Sequence, residues 1–143
     1  MDYTQITDSY AVSGQITPDD IADLKARGFT TIICNRPDEE VADEVRAEPV
    51  RRAAEAAGLK FAEIPFSHAA FSFDLVDLQA QAMKADDGKV FAYCATGNRC
   101  TILWGLVQAK DGTRDTDDII ATAARQGYDL NRIRPQLESL AGS

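Results

Sequence analysis

The residues most able to do covalent chemistry in this chain lie in one short stretch, Cys94-Ala-Thr-Gly-Asn-Arg99. Ahead of it runs Lys89-Val-Phe-Ala-Tyr93, an apolar segment with the character of a buried strand. Behind it Cys100-Thr-Ile-Leu-Trp104 opens an apolar helix. A thiol at a strand's carboxyl end and a helix N-terminus is placed to ionise, because backbone N–H groups and the positive end of the helix dipole favour the thiolate. Gly97 permits the backbone geometry that turns N–H groups inward, and Arg99 adds a planar charged fork. The expectation is a nucleophile, Cys94, in an anion cradle made by Ala95, Thr96, Gly97, Asn98 and Arg99.

Few other residues offer chemistry. His68, the single histidine, has a side chain suited to proton transfer near neutrality and is a candidate general acid. Cys100 is a candidate resolving thiol for an oxidised Cys94, or a packed helix residue. Cys34 ends another apolar run and reads as core. Arg36 sits in a loop at the end of that run, either paired with Asp38 or Glu39 or supporting the cradle and its substrate. The acidic run from Asp38 to Glu48 reads as a solvated face, and Trp104 as core. One histidine and no paired Cys-x-x-Cys spacing give no metal site, and no cofactor is expected.

These residues must be positioned by an alternation of strands and helices. Residues 4–13 read as a small hairpin or strand. Thr17 and Pro18 open a helix that Gly28 stops, and Phe29–Cys34 is a β-branched strand. Residues 41–48 give no clear pattern. A helix runs from Pro49 through Ala57, and Leu59–Pro65 is the next strand. Phe66–Phe73 is an aromatic loop. Asp74 caps a helix with Leu75, Leu78 and Ala82 inward; Thr116 caps another with Ile119, Ile120, Ala123 and Ala124 packed. Leu130, Ile133, Leu137 and Leu140 carry helical spacing to the end. The pattern predicts one α/β domain over residues 1–143, with a mostly parallel central sheet of about 4–5 strands and helices on both faces. The site of such a fold lies at the carboxyl ends of the strands, where loops 35–40, 66–73 and 94–99 converge.

Composition narrows the partners. Apolar residues make up 45% of the 143, ordinary for a globular chain with a core, and no run is long enough to span a bilayer. The N-terminus lacks a basic and then apolar signal segment, and three cysteines do not pair into a secreted framework, so a cytoplasmic protein is expected. A net charge of −8 argues against nucleic acid and anionic membranes as partners, while leaving room for a locally positive pocket.

The ordered landmarks Val12-Ser-Gly-Gln15, Gly28-Phe-Thr-Thr-Ile-Ile, Asn35-Arg36-Pro37-Asp38-Glu39, Ile64-Pro65, Cys94-x-x-Gly97-x-Arg99 and Gly127-Tyr-Asp-Leu130 cover nearly the whole chain. They resemble the bacterial beta-lactamase-hydrolase-like, phosphatase-like domain family, of dual-specificity-phosphatase fold. The resemblance implies a thiol-dependent transferase or hydrolase, with metallo-beta-lactamase-fold enzymes of persulfide oxidation (persulfide dioxygenases) as candidate partners. Between these two, three departures from a phosphatase decide. Four residues, not five, separate Cys94 from Arg99, as in rhodanese-like sulfurtransferases; loop 66–73 lacks the aspartate acid; and Cys100 follows the arginine where a serine or threonine is usual. The first reading is therefore a sulfurtransferase that forms a Cys94 persulfide from a small anionic sulfane-sulfur substrate. The second is a phosphatase using a phosphocysteine, and the third a non-catalytic redox switch joining Cys94 and Cys100.

Overall fold

The computed structural model describes residues 2–67 and 72–141. Five strands form one sheet in the order β1-β2-β5-β3-β4: β1 (Thr4–Thr7), β2 (Tyr10–Ser13), β3 (Phe29–Cys34), β4 (Lys60–Glu63) and β5 (Lys89–Tyr93). All neighbours are parallel except the β1–β2 hairpin, which adds β1 as an antiparallel edge. β5 lies between β2 and β3, with Ser13 and Cys34 both in register with Tyr93. Their carboxyl ends therefore finish level, and the residues that follow them share one rim.

Strand periodicity divides the core into two layers. Ile33, Val90 and Ala92 face α3 (Asp74–Met83), α4 (Asn98–Asp111), α5 (Thr116–Arg125) and α6 (Arg134–Ala141). Ile32, Phe91 and Tyr93 face α1 (Ile21–Ala26) and α2 (Ala47–Ala56). Central strands covered on both sides read as continuous apolar runs, and each fully buried Ile or Phe contributes roughly 1.5–3 kcal/mol. α4 is the spine of its layer: nine of its residues, including Leu103, Trp104 and Leu106, are buried. Among the described residues no helix is long and apolar enough to cross a membrane.

The α/β class, the mostly parallel sheet and helices on both faces match the sequence reading; several local expectations do not. Pro18–Asp20 is a 3-10 turn before α1, and the Asp20 carboxylate accepts the Thr17 N–H at 2.8 Å. α2 starts at Ala47, not Pro49, because the Asp38 carboxylate accepts the Ala47 N–H at 2.9 Å and serves as a remote cap. Asp115, not Thr116, caps α5 by accepting the Asp118 N–H at 2.8 Å. Asp74 is the first residue of α3 rather than its cap, and Leu78 is exposed while Val76 and Gln79 are buried. A polar partner inside the core explains that rotation. Gln79 Nε2 donates to the Tyr10 hydroxyl at 3.1 Å, and Asn35 Nδ2 donates to Gln79 Oε1 at 3.0 Å. Ala124 is likewise exposed on α5.

Candidate active site

Cys94 is the first residue beyond β5. Its N–H donates to Ser13 O at 3.1 Å, and the Asn35 N–H donates to Tyr93 O at 2.9 Å, so ladder bonds from both neighbouring strands fix the point where the chain leaves the sheet. The loop then folds back over its own sulfur. Gly97, with φ of 90°, is the N-cap of α4, a left-handed conformation that side-chain-bearing residues avoid. Its N–H donates to Cys94 Sγ at 3.1 Å. The loop is wrapped closely from outside: a Cβ on Gly14 would lie 2.8 Å from Ala95 O.

The thiol ionises. Its pKa falls from the ordinary 9.0 to about 5, through the Cys100 thiol as hydrogen-bond partner and then the N–H groups of Cys100, Thr96 and Gly97, against the opposing effect of burial. Cys94 is a thiolate at neutral pH, which is the nucleophilic form. Cys100 is itself fully buried, and its own pKa is pushed up by burial and by the neighbouring Cys94 sulfur. Its S–H therefore stays protonated and donates to the thiolate, the task a hydroxyl performs in the usual loop. The Thr101 hydroxyl does not substitute; it donates back along the helix to Gly97 O at 2.8 Å.

Arg99 interacts with the Cys94 sulfur, and its side chain is only 12% exposed. Nη1 donates to Glu40 Oε2 at 2.9 Å and to Phe66 O at 2.8 Å, and Nη2 donates to Glu40 Oε1 at 2.8 Å. A guanidinium has five N–H donors. Three are thus committed, and the two that remain, Nε–H and the second Nη2–H, lie on one side edge of the fork. The Cys94 sulfur interacts with this arginine and raises its pKa further after the larger effect of Glu40. Among the described residues that edge has the Cys94 sulfur as its neighbour, so it is the one available to an anion held against the sulfur.

Arg36 does not enter the cradle. Its Nε donates to Glu40 Oε1 at 3.2 Å and its Nη1 to Gln15 Oε1 at 3.4 Å, so it holds Glu40, which holds Arg99. The sequence left open a pairing with Asp38 or Glu39 or a role in supporting the cradle; the partner is Glu40, through which Arg36 supports Arg99. Arg36 and Glu40 sit four apart across a 3-10 turn (Asp38–Glu40), a spacing that carried the signal. Nor is the acidic run a plain solvated face, since Asp38 caps α2 and Glu40 braces the cradle. Within the loop, the Asn98 N–H turns to the Thr96 hydroxyl at 3.3 Å rather than to the sulfur, and Ala95 and Thr96 are exposed. Cys34 and Trp104 are core, as expected. His68 lies outside the described residues.

Beneath the rim, the Tyr10 hydroxyl donates to Cys100 O at 2.7 Å and accepts from Gln79, which Asn35 holds in turn. This buried chain ties the first turn of α4 to β2, α3 and the end of β3. Separated by up to 90 residues in sequence, these partners left no local signal.

The sequence profile of the family described as beta-lactamase hydrolase-like protein, phosphatase-like domain, matches residues 2–111. A beta-lactamase hydrolase-like protein of Xylella fastidiosa is 31% identical over 143 residues, 99% of this chain, which spans only 33% of that relative's length. The crystal structure of a candidate phosphatase from Neisseria meningitidis superposes with a TM-score of 0.79 at 30% identity, covering 96% of each chain. A second candidate phosphatase, from Shewanella putrefaciens, has a TM-score of 0.75 at 18% identity over 98% of this chain and 91% of that one, a likeness of fold alone. The architecture is the dual-specificity-phosphatase-like fold.

Proposed function

The chain belongs to the beta-lactamase hydrolase-like protein, phosphatase-like domain family, and on that footing we propose that it is a cysteine-dependent sulfurtransferase. The Cys94 thiolate attacks the outer sulfur of a sulfane donor such as thiosulfate. A new S–S bond forms to Cys94, the donor's S–S bond breaks, and sulfite leaves with the electron pair. The product is a Cys94 persulfide, which an acceptor thiolate attacks at the outer sulfur, restoring the Cys94 thiolate. Neither step consumes a proton.

That last property is what the site favours. Among the described residues, the carboxylate that reaches the cradle is Glu40, and Arg99 holds it below its ordinary range. It is an ionised brace and not a proton donor. A leaving alkoxide needs an acid; sulfite and thiolates do not. The four-residue loop supports the same reading, since a tight ring of donors suits a single terminal sulfur. A persulfide-oxidising enzyme of the metallo-beta-lactamase fold is a fitting acceptor partner.

A phosphatase is the second reading, favoured by the free side edge of Arg99, whose two parallel donors match two oxygens of a phosphoryl group. One experiment separates the two. Incubated with thiosulfate, the protein is expected to gain about 32 Da in intact mass, one sulfur atom, and Cys94→Ser is expected to gain nothing. No gain with thiosulfate or a small-thiol persulfide, together with sustained turnover of an aryl phosphate by the wild type alone, replaces the first reading with the second.

A further inference from the structure

We infer that Tyr128 is a positioning residue for the nucleophile: its hydroxyl fixes the peptide that aims the Gly97 N–H at the Cys94 sulfur. The inference rests on the reading of Cys94 as the reactive thiolate and deepens it.

Tyr128 follows α5, one residue past Gly127, and is half-buried against the loop. Its hydroxyl donates to Thr96 O at 2.9 Å. The Gly97 N–H donates to Cys94 Sγ at 3.1 Å. These two groups, the Thr96 carbonyl and the Gly97 N–H, belong to a single peptide unit. In a trans peptide they point to opposite sides of a rigid plane. Holding the oxygen outward therefore points the N–H inward. Released, the unit is free to rotate about its flanking bonds, and a rotation that turned the carbonyl lone pairs toward the thiolate would replace attraction with repulsion.

The surroundings are built for this contact. A Cβ on Gly97 would lie 2.5 Å from Tyr128 Oη and 3.1 Å from Val12 Cγ2, so the absence of a side chain there lets the tyrosine reach the neighbouring carbonyl. Gly14 bridges to Thr96 on the other flank, which leaves the hydroxyl to set the tilt of a peptide already confined in position. Tyr128 touches no reacting atom. Its action passes through one hydrogen bond to the sulfur.

The test reads the sulfur directly and needs no substrate. The pH dependence of iodoacetamide alkylation of Cys94 is measured in wild type, Tyr128→Phe and Tyr128→Leu, with melting temperatures alongside. Deleting one oxygen in Tyr128→Phe is expected to leave melting within a few degrees and to raise the Cys94 pKa by about one unit, slowing alkylation about fivefold at pH 5 and hardly at pH 8. Tyr128→Leu is expected to do the same or more. If Tyr128→Phe titrates like wild type near 5, the inference is overturned, whether Leu shifts the pKa (ring packing matters) or not (Tyr128 is irrelevant). If wild type itself titrates near 9, the nucleophile reading fails, and the role of Tyr128 falls with it.

Discussion

Glu40 meets Arg99 end-on, with both carboxylate oxygens on both terminal nitrogens at 2.9 and 2.8 Å, and the same carboxylate accepts from Arg36. The arginine is thereby held at its tip while its side edge stays open to a ligand. Charged hydrogen bonds are strong when buried, but Glu40 is 36% exposed, so solvent screens part of the effect. Glu40→Gln should lower kcat/KM about tenfold, chiefly by raising KM, with Glu40→Asp in between. Because Arg99 depresses the Glu40 pKa, the brace persists below the ordinary carboxylate range and is lost as pH falls through that lowered value. Steady-state kinetics on the three proteins, with unchanged KM in Glu40→Gln as the contrary result, decide whether the pair is more than a surface bridge.

The Cys94 thiolate ties stability to pH. Its folded pKa is about 5, against about 8.5 in an unfolded chain. Between these values the unfolded state binds one proton more, so the sulfur's contribution grows with pH, is complete above the unfolded pKa and is lost as pH falls through 5. Denaturant melts of wild type and Cys94→Ser should therefore diverge from pH 5 to pH 9, wild type gaining. A constant difference would mean that the sulfur is not ionised in the fold.

Cys100 has two separable roles. As a hydrogen-bond donor it lowers the Cys94 pKa, so Cys100→Ala should raise that pKa while Cys100→Ser, which keeps a donor, should raise it less. As a thiol beside a thiolate it is placed to resolve oxidation. Peroxide converts Cys94 to a sulfenic acid, which condenses with the Cys100 thiol, expelling water and leaving an internal disulfide about 2 Da lighter than the reduced protein. Mass spectrometry of peroxide-treated wild type and Cys100→Ser checks this, and identical products in both would remove the resolving role.

Gly14 limits how the cradle closes. An added Cβ would meet the Ala95 carbonyl, backbone that cannot rotate aside, so Gly14→Ala should push the loop outward. A loss of about 3–10 °C in melting temperature is expected from overpacking of this size. Slower alkylation of Cys94 should accompany it; a variant as stable and reactive as wild type would show that the loop yields without cost.

Much of this was legible in the chain. Strand and helix periodicity placed Cys94 at the end of a central strand, and the Gly97–Arg99 spacing marked the cradle, because both signals are local. Glu40 was hidden by its neighbours: inside an acidic run, composition reads every carboxylate as solvated, and only its spacing from Arg36 set it apart. Tyr128 and Asn35 stood among the sequence landmarks, but the contacts of Tyr128 and of the Tyr10–Gln79–Asn35 chain were hidden for a different reason. Their partners are brought together by the tertiary fold, 32 residues apart at Tyr128 and 90 at Tyr10, and no local pattern reports such a pairing. Leu78 misled through helical spacing, since a buried polar network claimed the face that hydrophobicity had assigned to it.

The sharing of Glu40 also governs how an anion arrives. Two guanidinium groups, one carboxylate and one thiolate sum to zero charge at the mouth, on a chain whose net charge is −8. An anionic substrate thus approaches against a repulsive far field and meets no compensating attraction until it touches the arginine edge. Added salt should screen that field and speed encounter rather than slow it. The enzyme recruits by fit at contact, and its traffic should quicken in brine.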